Sequence, residues 1–279
     1  MVQASAGMQI VGAMRTDIGK VRSSNEDSIA WVTPHDNNVA HTRGSVALVA
    51  DGMGGHAAGE IASAIAADTI RQLYYDLDGS IPQVLSKAFA AAHHAILDYA
   101  EQHPQCKGMG TTCTVLAFRD GQAWLAHIGD SRAYLLRGRT MTQLSEDQTL
   151  VAKLVSEGTL TQAEADHSPM HNVILQALGA SAEIKPMIGA HGVPLQPGDF
   201  WILCSDGVYN MVPDQRIAEV ASRLPPQEAC DTLIEAALEA GGQDNASLGI
   251  FSIVAAEEDK RAQEPKTRRI KIPIPGSPS

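Results

Sequence analysis

The sequence lacks three features that would each point to a particular class of protein. Lys and Arg number 21 against 32 Asp and Glu, a net charge of −11, so there is no basic surplus to hold a nucleic-acid backbone. The four cysteines form no Cys-x-x-Cys pair, and buried reduced thiols are the simplest interpretation. No apolar run approaches the roughly 18 residues of a membrane span, and residues 1–7 lack the basic and apolar parts of a signal peptide. We therefore expect a cytoplasmic protein with no membrane span and no nucleic-acid partner.

What is present is typical of a folded globular chain. Of 279 residues, 44% are apolar and 19% charged, which is ordinary for a protein with a sizeable core. Residues 8–254 are expected to form one domain, whereas residues 255–279 turn polar, then basic, and end in a proline-containing segment that we expect to be a disordered tail. No heptad or symmetric apolar stripe indicates an oligomer, so a monomer is expected.

Short strands and long helices alternate in blocks along the chain. Strands are predicted at Met8–Met14, Ser28–Val32, Val46–Ala50, Thr112–Phe118, Ala123–Ile128, Ala133–Leu136, Phe200–Cys204 and Ser247–Val254. Helices are predicted at Ala57–Leu77, Ile81–Gln102, Gln148–Glu157, Thr161–Asp166 and Pro226–Ala240. Tight polar turns at Arg119-Asp120-Gly121 and Arg137-Gly138-Arg139 indicate antiparallel hairpins. The pattern predicts an α+β fold built in layers.

Five short acidic motifs lie beside strand-like segments or in turns. They are Asn25-Glu26-Asp27, Asp51-Gly52, Gly129-Asp130-Ser131, Ser205-Asp206-Gly207 and Asp244-Asn245. Each alone is typical of a turn or a helix cap, because Asp and Asn bond their own backbone. Together they could bring oxygen ligands into one cleft, with Gly52, Gly207 and Asn245 leaving room for close backbone approach. Carboxylate and carbonyl oxygens suit Mg²⁺ or Mn²⁺, so the sequence predicts a site for a hard cation.

Six motifs then occur in a fixed order within residues 8–254. They are Thr16-Asp17-Ile18-Gly19-Lys20-Val21-Arg22-Ser23-Ser24-Asn25-Glu26-Asp27, Asp51-Gly52-Met53-Gly54-Gly55-His56, Met109-Gly110-Thr111-Thr112, Gly129-Asp130-Ser131-Arg132-Ala133-Tyr134, Ser205-Asp206-Gly207 and Asp244-Asn245. In this order they resemble the motifs of the metal-dependent type 2C serine/threonine protein phosphatases, most closely the bacterial branch. Six ordered motifs are far more specific than any one of them.

This resemblance implies a central sandwich of two antiparallel β-sheets flanked by α-helices, in four α-β-β-α layers, with two Mn²⁺ or Mg²⁺ ions in a cleft. It also implies roles by position. Asp51 resembles the carboxylate that bridges both ions, joined at one by the Gly52 carbonyl and Glu26, with Asp27 holding a metal-bound water. Asp206 and Asp244 would ligate the other ion, and Asp130 would share a third, looser ion with Asp206. Arg22 resembles the family's phosphate-binding arginine.

The sequence departs from the wider family pattern at three positions. Met53 replaces a histidine proposed as general acid in many eukaryotic members, and His56 or a metal-bound water is left as an alternative acid. The segment 143–179 resembles a mobile flap beside the bacterial active site, but Gln148 stands where histidine is frequent and His171 where arginine is frequent. The remaining paired histidines, including His93-His94 and His167/His171, are expected on the surface or in polar loops.

Three functions fit these residues. The first is hydrolysis of phosphoserine and phosphothreonine in phosphorylated proteins, by direct attack of a metal-bridging water and without a phosphoenzyme, opposing a bacterial serine/threonine kinase. The second is a pseudophosphatase that binds phosphoproteins without hydrolysis, although all six predicted metal carboxylates are present. The third is a sporulation-type signalling phosphatase, which shares the chemistry but carries regulatory domains for which few residues are left. The first is the function that the sequence favours.

Overall fold

The computed structural model of the chain describes residues 2–5, 7–34, 43–54 and 58–256. Within them the strands are β1 (Val2–Ser5), β2 (Met8–Asp17), β3 (Asp27–Val32), β4 (Ser45–Met53), β5 (Gly110–Thr111), β6 (Cys113–Arg119), β7 (Gln122–Ile128), β8 (Arg132–Arg137), β9 (Thr140–Gln143), β10 (Met187–Ile188), β11 (Val193–Pro194), β12 (Phe200–Cys204) and β13 (Ala246–Ala255). The helices are α1 (Ala58–Asp76), α2 (Ile81–Gln102), α3 (Leu150–Ser156), α4 (Gln162–Asp166), α5 (Asp206–Tyr209), α6 (Asp214–Arg223) and α7 (Pro226–Glu239), with a 3₁₀ turn at Pro104–Cys106.

The strands form two antiparallel sheets. One has the order β1-β2-β13-β12-β8-β9, and the other has the order β10-β7-β6-β4-β3, with β11 also on β7 and β5 on β4. The β6–β7 hairpin turns at Asp120 and Gly121, which both have positive φ, 53° and 71°. Two such residues are what a tight hairpin turn requires, so the predicted turn and the antiparallel pairing are confirmed.

Four layers stack around the two sheets. One hydrophobic cluster lies between the second sheet and the helices α1 and α2, another between the first sheet and α6 and α7, and a third between the two sheets. Trp31, Phe118, Trp201 and Phe251 meet in the third cluster through tilted and edge-to-face ring contacts. The fold is therefore the predicted α-β-β-α sandwich, held by three apolar interfaces.

Strand β4 shows how the sequence builds these layers. Its alternate residues Val46 and Leu48 face the helix-side cluster, while Ala47 and Val49 face the cluster between the sheets. All four are fully buried. Because successive side chains of a strand point to opposite faces, a strand covered on both sides carries a continuous apolar run, and in β4 this run, Val46–Ala50, ends at Asp51.

Most predicted elements are found at or near their expected bounds. Phe200–Cys204 and Ile81–Gln102 match end to end, whereas helix α6 was not predicted. The four cysteines are free and buried, as expected. Among the described residues, no helix has the length and apolar character needed to cross a membrane. The predicted domain boundary stays a prediction: β13 includes Ala255, and residues 257–279 lie outside the described part of the chain.

Candidate metal centre

The five aspartates predicted as ligands lie at one end of the two sheets. Asp27 opens β3 and stands directly opposite Asp51 on β4. In the other sheet, the ends of β12, β13 and β8 are in register. Asp206 follows β12, Asp244 precedes β13 and Asp130 precedes β8. The topology therefore brings carboxylates that are up to 217 residues apart in sequence to one edge of the sandwich.

Burial and mutual repulsion raise the pKa values of these carboxylates. Burial is the main cause, and it raises the pKa of Asp27 and of Asp130 to about 7 and that of Asp206 to about 6. The pKa of Asp51 is raised well above its usual value by burial and then by Asp27, Asp206, Asp130 and Asp244. Four carboxylates close enough to repel the charge of Asp51 belong to one site. A cation there would compensate the charge and favour the ionised forms.

The backbone of Asp51 is fixed by two threonines. Its N–H donates to Thr112 Oγ1 at 2.9 Å, and its carbonyl accepts from the Thr112 N–H and from Thr111 Oγ1, both at 2.9 Å. Thr112 Oγ1 also lies 2.8 Å from Ser131 Oγ, next to Asp130. The motif Met109-Gly110-Thr111-Thr112 contributed to the family resemblance, but no role was assigned to it. The structure shows that it holds Asp51.

Close backbone packing places Glu26 beside Gly52. The Gly52 N–H donates to the Glu26 carbonyl at 3.1 Å, and a Cβ at Gly52 would collide with the Gly59 carbonyl. A Cβ at Gly59, in the first turn of α1, would lie 2.7 Å from Glu26 Oε2. Burial raises the pKa of the half-buried Glu26 carboxyl. Two glycines thus allow α1, β4 and Glu26 to meet, and the need for Gly59 was not foreseen from the sequence.

Asn245 joins the loop before β3 to the start of β13. Its Nδ2 donates to the Ile18 and Ser24 carbonyls, both at 2.9 Å, and its Oδ1 accepts from the Glu26 N–H at 2.8 Å. The residue is 5% exposed. The only role expected for Asn245 was to leave space, so its use of both ends of the side-chain amide is an additional finding. It fixes the backbone of Glu26 from the far end of the chain.

Asp27 has one carboxylate oxygen paired and one open. Its Oδ2 accepts from Ser205 Oγ at 2.8 Å, and Ser205 Oγ in turn accepts from the Ser247 N–H at 3.0 Å. Oδ1 is buried and has no hydrogen-bond partner in the described part of the chain. A buried acceptor left open costs free energy unless a water or cation satisfies it. This oxygen suits the predicted bond to a metal-bound water.

Arg22 lies at the cleft and pairs with Asp244. Its Nη2 is 2.6 Å from Asp244 Oδ2, and the other oxygen of that carboxylate accepts from the Asn245 N–H at 2.8 Å. About half of the Arg22 side chain is exposed. The ion pair raises the pKa of Arg22, with Glu26 and Asp51 adding to it. A ligating carboxylate can keep such a hydrogen bond, and the guanidinium has further N–H donors that point elsewhere.

The donor set fits a hard cation that keeps part of its hydration. Among the described residues, no three His, Cys, Asp or Glu side chains are placed so that they alone could hold one ion. The side chains at the cluster are carboxylates, and the four cysteines are buried in other places. Mg²⁺ is usually bound by one or two carboxylates with several waters. A shell completed by water and by a carbonyl such as that of Gly52 therefore matches this arrangement.

The histidines give no alternative site among the residues described. His167 and His171 are exposed, and each has its Nδ1 close to a backbone carbonyl three or four residues earlier in the chain. His93, expected at the surface, is instead buried and accepts the Gly179 N–H at 3.0 Å. That expectation was wrong because this face of α2 packs against the segment after α4. His56, the alternative acid, lies outside the described residues.

A large cavity opens beside the acidic cluster. Its volume is about 1000 Å³, and its lining includes Asp130, Arg132 and Tyr209 together with residues of the expected flap. The Arg132 guanidinium contacts Asp147 through Nη2 at 2.7 Å and lies 3.7 Å above the Tyr209 ring centre. These contacts neutralise and fix Arg132. The cavity thus provides space for a substrate that extends beyond the metal cluster.

Comparison with known proteins agrees with this description. The sequence model of protein phosphatase 2C matches residues 20–240. The chain is 37% identical over 243 residues to the serine/threonine protein phosphatase PstP of Mycobacterium tuberculosis, covering 87% of the chain but only 45% of PstP. It is also 37% identical to protein phosphatase PhpP of Streptococcus pneumoniae, over 88% of the chain and 98% of PhpP. The chain therefore spans less than half of one relative and nearly all of another.

Solved structures give the same result. The catalytic domain of PstP in complex with two manganese ions superposes with a TM-score of 0.76 at 36% identity, covering 88% of this chain and 99% of that one. A serine/threonine phosphatase of S. agalactiae gives a TM-score of 0.78 at 30% identity, covering 89% of this chain and all of that one. With the ordered motifs, the sandwich and the acidic cleft, these matches show that the chain belongs to the protein phosphatase 2C family.

Proposed function

We propose that this chain is a metal-dependent phosphatase that hydrolyses phosphoserine and phosphothreonine in proteins. The observation that supports this most is the group of carboxylates around Asp51, whose raised pKa values and open Asp27 Oδ1 call for cations. The relatives named above are protein phosphatases. Two ions, Mn²⁺ or Mg²⁺, are proposed, with a third near Asp130, whose pKa is raised partly by Asp206.

The protein residues would divide the work as follows. Asp51, the Gly52 carbonyl and Glu26 would contribute ligands to one ion, and Asp51, Asp206 and Asp244 would contribute ligands to the other, with water completing each shell. When bound there, the cations would activate a water as the nucleophile and would neutralise charge on the phosphoryl group. Asp27 would accept a hydrogen bond from water at the cluster. Arg22 would bind two phosphoryl oxygens with its planar guanidinium, and no protein side chain would be phosphorylated.

The proposed partners are phosphorylated proteins and a serine/threonine kinase whose action this chain reverses. Family resemblance supports the kinase, and the net charge of −11 disfavours a nucleic-acid partner. The monomeric state and the cytoplasmic location stay predictions.

The test is hydrolysis of p-nitrophenyl phosphate and of a phosphothreonine peptide with Mn²⁺, with Mg²⁺ and with EDTA. The matched variant is Asp206→Asn, which keeps the size of the side chain but removes its charge. We expect metal-dependent phosphate release that EDTA and the variant both abolish. Release by Asp206→Asn at the wild-type rate would overturn the ligand assignment. No release from folded wild-type protein with either metal would overturn the proposed activity and favour a phosphoprotein-binding pseudoenzyme.

A further inference from the structure

The expected flap is closed at its base by a short antiparallel ladder. Residues 148–150 run beside residues 173–175, and we call these two segments the flap base. The Leu150 N–H donates to the Val173 carbonyl and the Leu175 N–H donates to the Gln148 carbonyl, both at 2.8 Å. Thr149 forms an isolated β-bridge with Ile174 between them. The helices α3 and α4 lie in the excursion that this base closes.

One side chain attaches the flap base to the loop that carries Asp130. Gln148 Oε1 accepts the Gly129 N–H at 2.9 Å, and Gln148 Nε2 donates to the Lys185 carbonyl at 3.2 Å. Its backbone N–H also donates to the Gly129 carbonyl at 2.8 Å. Gln148 therefore makes hydrogen bonds to three segments, the Gly129 turn, the far strand of the flap base and the chain at Lys185.

The residue to which Gln148 is bonded has little freedom of its own. Gly129 has a φ of +104°, and a Cβ there would lie 2.6 Å from the Thr112 side chain. Thr112 is the residue that fixes the Asp51 backbone. The flap base is thus fastened to a rigid part of the metal centre, and Gln148 and Leu175 both line the 1000 Å³ cavity next to Asp130.

We propose that Gln148 is a positioning residue. It fixes the position of the flap, and therefore of one wall of this cavity, relative to Asp130. This inference rests on the proposed function. A small aryl phosphate has no chain to reach the flap wall, whereas a phosphopeptide extends into the cavity. Loss of the Gln148 side chain should therefore affect large substrates more than small ones. A residue that only stabilised the fold would affect both equally.

The experiment compares Gln148→Ala and Gln148→Glu with wild type and with Gln227→Ala. Gln227 is an exposed glutamine on α7 bonded to Asp231 one turn away, which makes it a matched control. For Gln148→Ala, kcat/KM on a phosphothreonine peptide should fall about tenfold, with p-nitrophenyl phosphate within about twofold. Gln148→Glu keeps an acceptor for the Gly129 N–H but loses the donor to Lys185, so its loss should be intermediate. Gln227→Ala should behave as wild type.

Amide hydrogen exchange provides a readout that does not need activity. In Gln148→Ala the Leu150 and Leu175 amides should exchange about tenfold faster, while amides of β4 stay unchanged. Equal losses on both substrates, or exchange at the flap base that is unaltered, would overturn the positioning role. If wild-type protein hydrolyses neither substrate, the proposed function fails, whereas the exchange comparison still decides whether Gln148 holds the flap.

Discussion

At the residue scale, Asn245 shows how one buried side-chain amide can hold the backbone of a site without contacting a metal or a substrate. Changing Asn245 to Asp keeps its size but removes both N–H donors to the Ile18 and Ser24 carbonyls and adds a charge beside Asp244. Each carbonyl left without its partner costs about 1–3 kcal/mol. We expect Tm to fall by about 5 °C or more and kcat/KM by at least about tenfold. Calorimetry and the peptide assay measure both effects.

The control for this change is Gln227→Glu, which converts an amide to a carboxylate on an exposed helix surface. It should leave both Tm and kcat/KM close to wild type. An Asn245→Asp protein as stable and active as wild type would mean that its hydrogen bonds do not fix the loop.

Arg22 carries a second prediction at this scale. Removing its guanidinium in Arg22→Ala should raise KM for a phosphopeptide about tenfold, because a charge-assisted contact to phosphate is lost. The Asp244 carboxylate loses its Arg22 partner in the same change, so the Mn²⁺ concentration for half-maximal activity should fall. Arg71→Ala, which breaks an exposed pair with Asp68 on α1, is the control. An unchanged kcat/KM in Arg22→Ala would show that this side chain does not touch the substrate.

Individual residues were predictable only where a motif identified them. The aspartates stand in recognisable patterns, and the structure brings them together. The supporting roles of Thr112, Ser205 and Asn245 could not be predicted, because each depends on a partner far away in sequence. Ser205 bonds Asp27 across 178 positions and Asn245 bonds Glu26 across 219. A single sequence contains no signal that pairs such residues.

At the element scale, the approach of α1 to the metal centre depends on Gly59. Gly59→Ala should strengthen the helix by up to about 1 kcal/mol from propensity alone, but its Cβ would lie 2.7 Å from Glu26 Oε2. The collision should decide the effect on activity, because the Glu26 carboxylate must move away from its position at the metal centre. We expect at least about tenfold weaker activation by Mn²⁺, measured as the metal concentration for half-maximal rate.

Ala64→Ser is the control for Gly59→Ala, since it adds one atom at an exposed position of the same helix. Activation by Mn²⁺ should be unchanged in it. If Gly59→Ala were activated as readily as wild type, the contact between α1 and Glu26 would have no part in metal binding.

The elements that the sequence predicted well are those with one strong local pattern. In α2 the buried apolar residues keep to one face, and this helical period is visible in the sequence itself. Helix α6 was missed although its buried residues Ile217, Val220 and Ala221 stand at i, i+3 and i+4 among charged residues, a helical spacing that the sequence does contain. Strand β9 is held by pairing with β8 at a sheet edge, which no local pattern reveals.

At the scale of the whole molecule, the sandwich concentrates negative charge at the place where the proposed phosphorylated substrate would bind. The Asp51 cluster and Glu26 would repel a phosphate dianion, and Arg22 is already paired with Asp244. Cations would therefore be needed for substrate binding as well as for the nucleophile. The fold class was predictable because antiparallel hairpins and outer helices have local signals. The convergence of the acidic motifs in one cleft was also expected, but the strand order that produces it was not, because it follows from the register of strands in two sheets.

This concentration of charge makes the stability of the metal-free protein depend on pH. The pKa values of Asp27 and Asp130 are about 7 in the folded state, against about 3.9 in an unfolded chain. Folded protein then binds more protons between pH 4 and 7, so its free energy of unfolding falls as the pH rises through that window. Buried His127, whose pKa is lowered by burial, acts in the opposite direction below pH 6.5.

The test compares wild type with Asp27→Asn, which leaves His127 in place. In EDTA, Tm of wild type should fall relative to the variant by about 5 °C between pH 5 and 8, and Mn²⁺ at pH 8 should restore it. Parallel Tm curves for the two proteins would show that Asp27 is already ionised without metal.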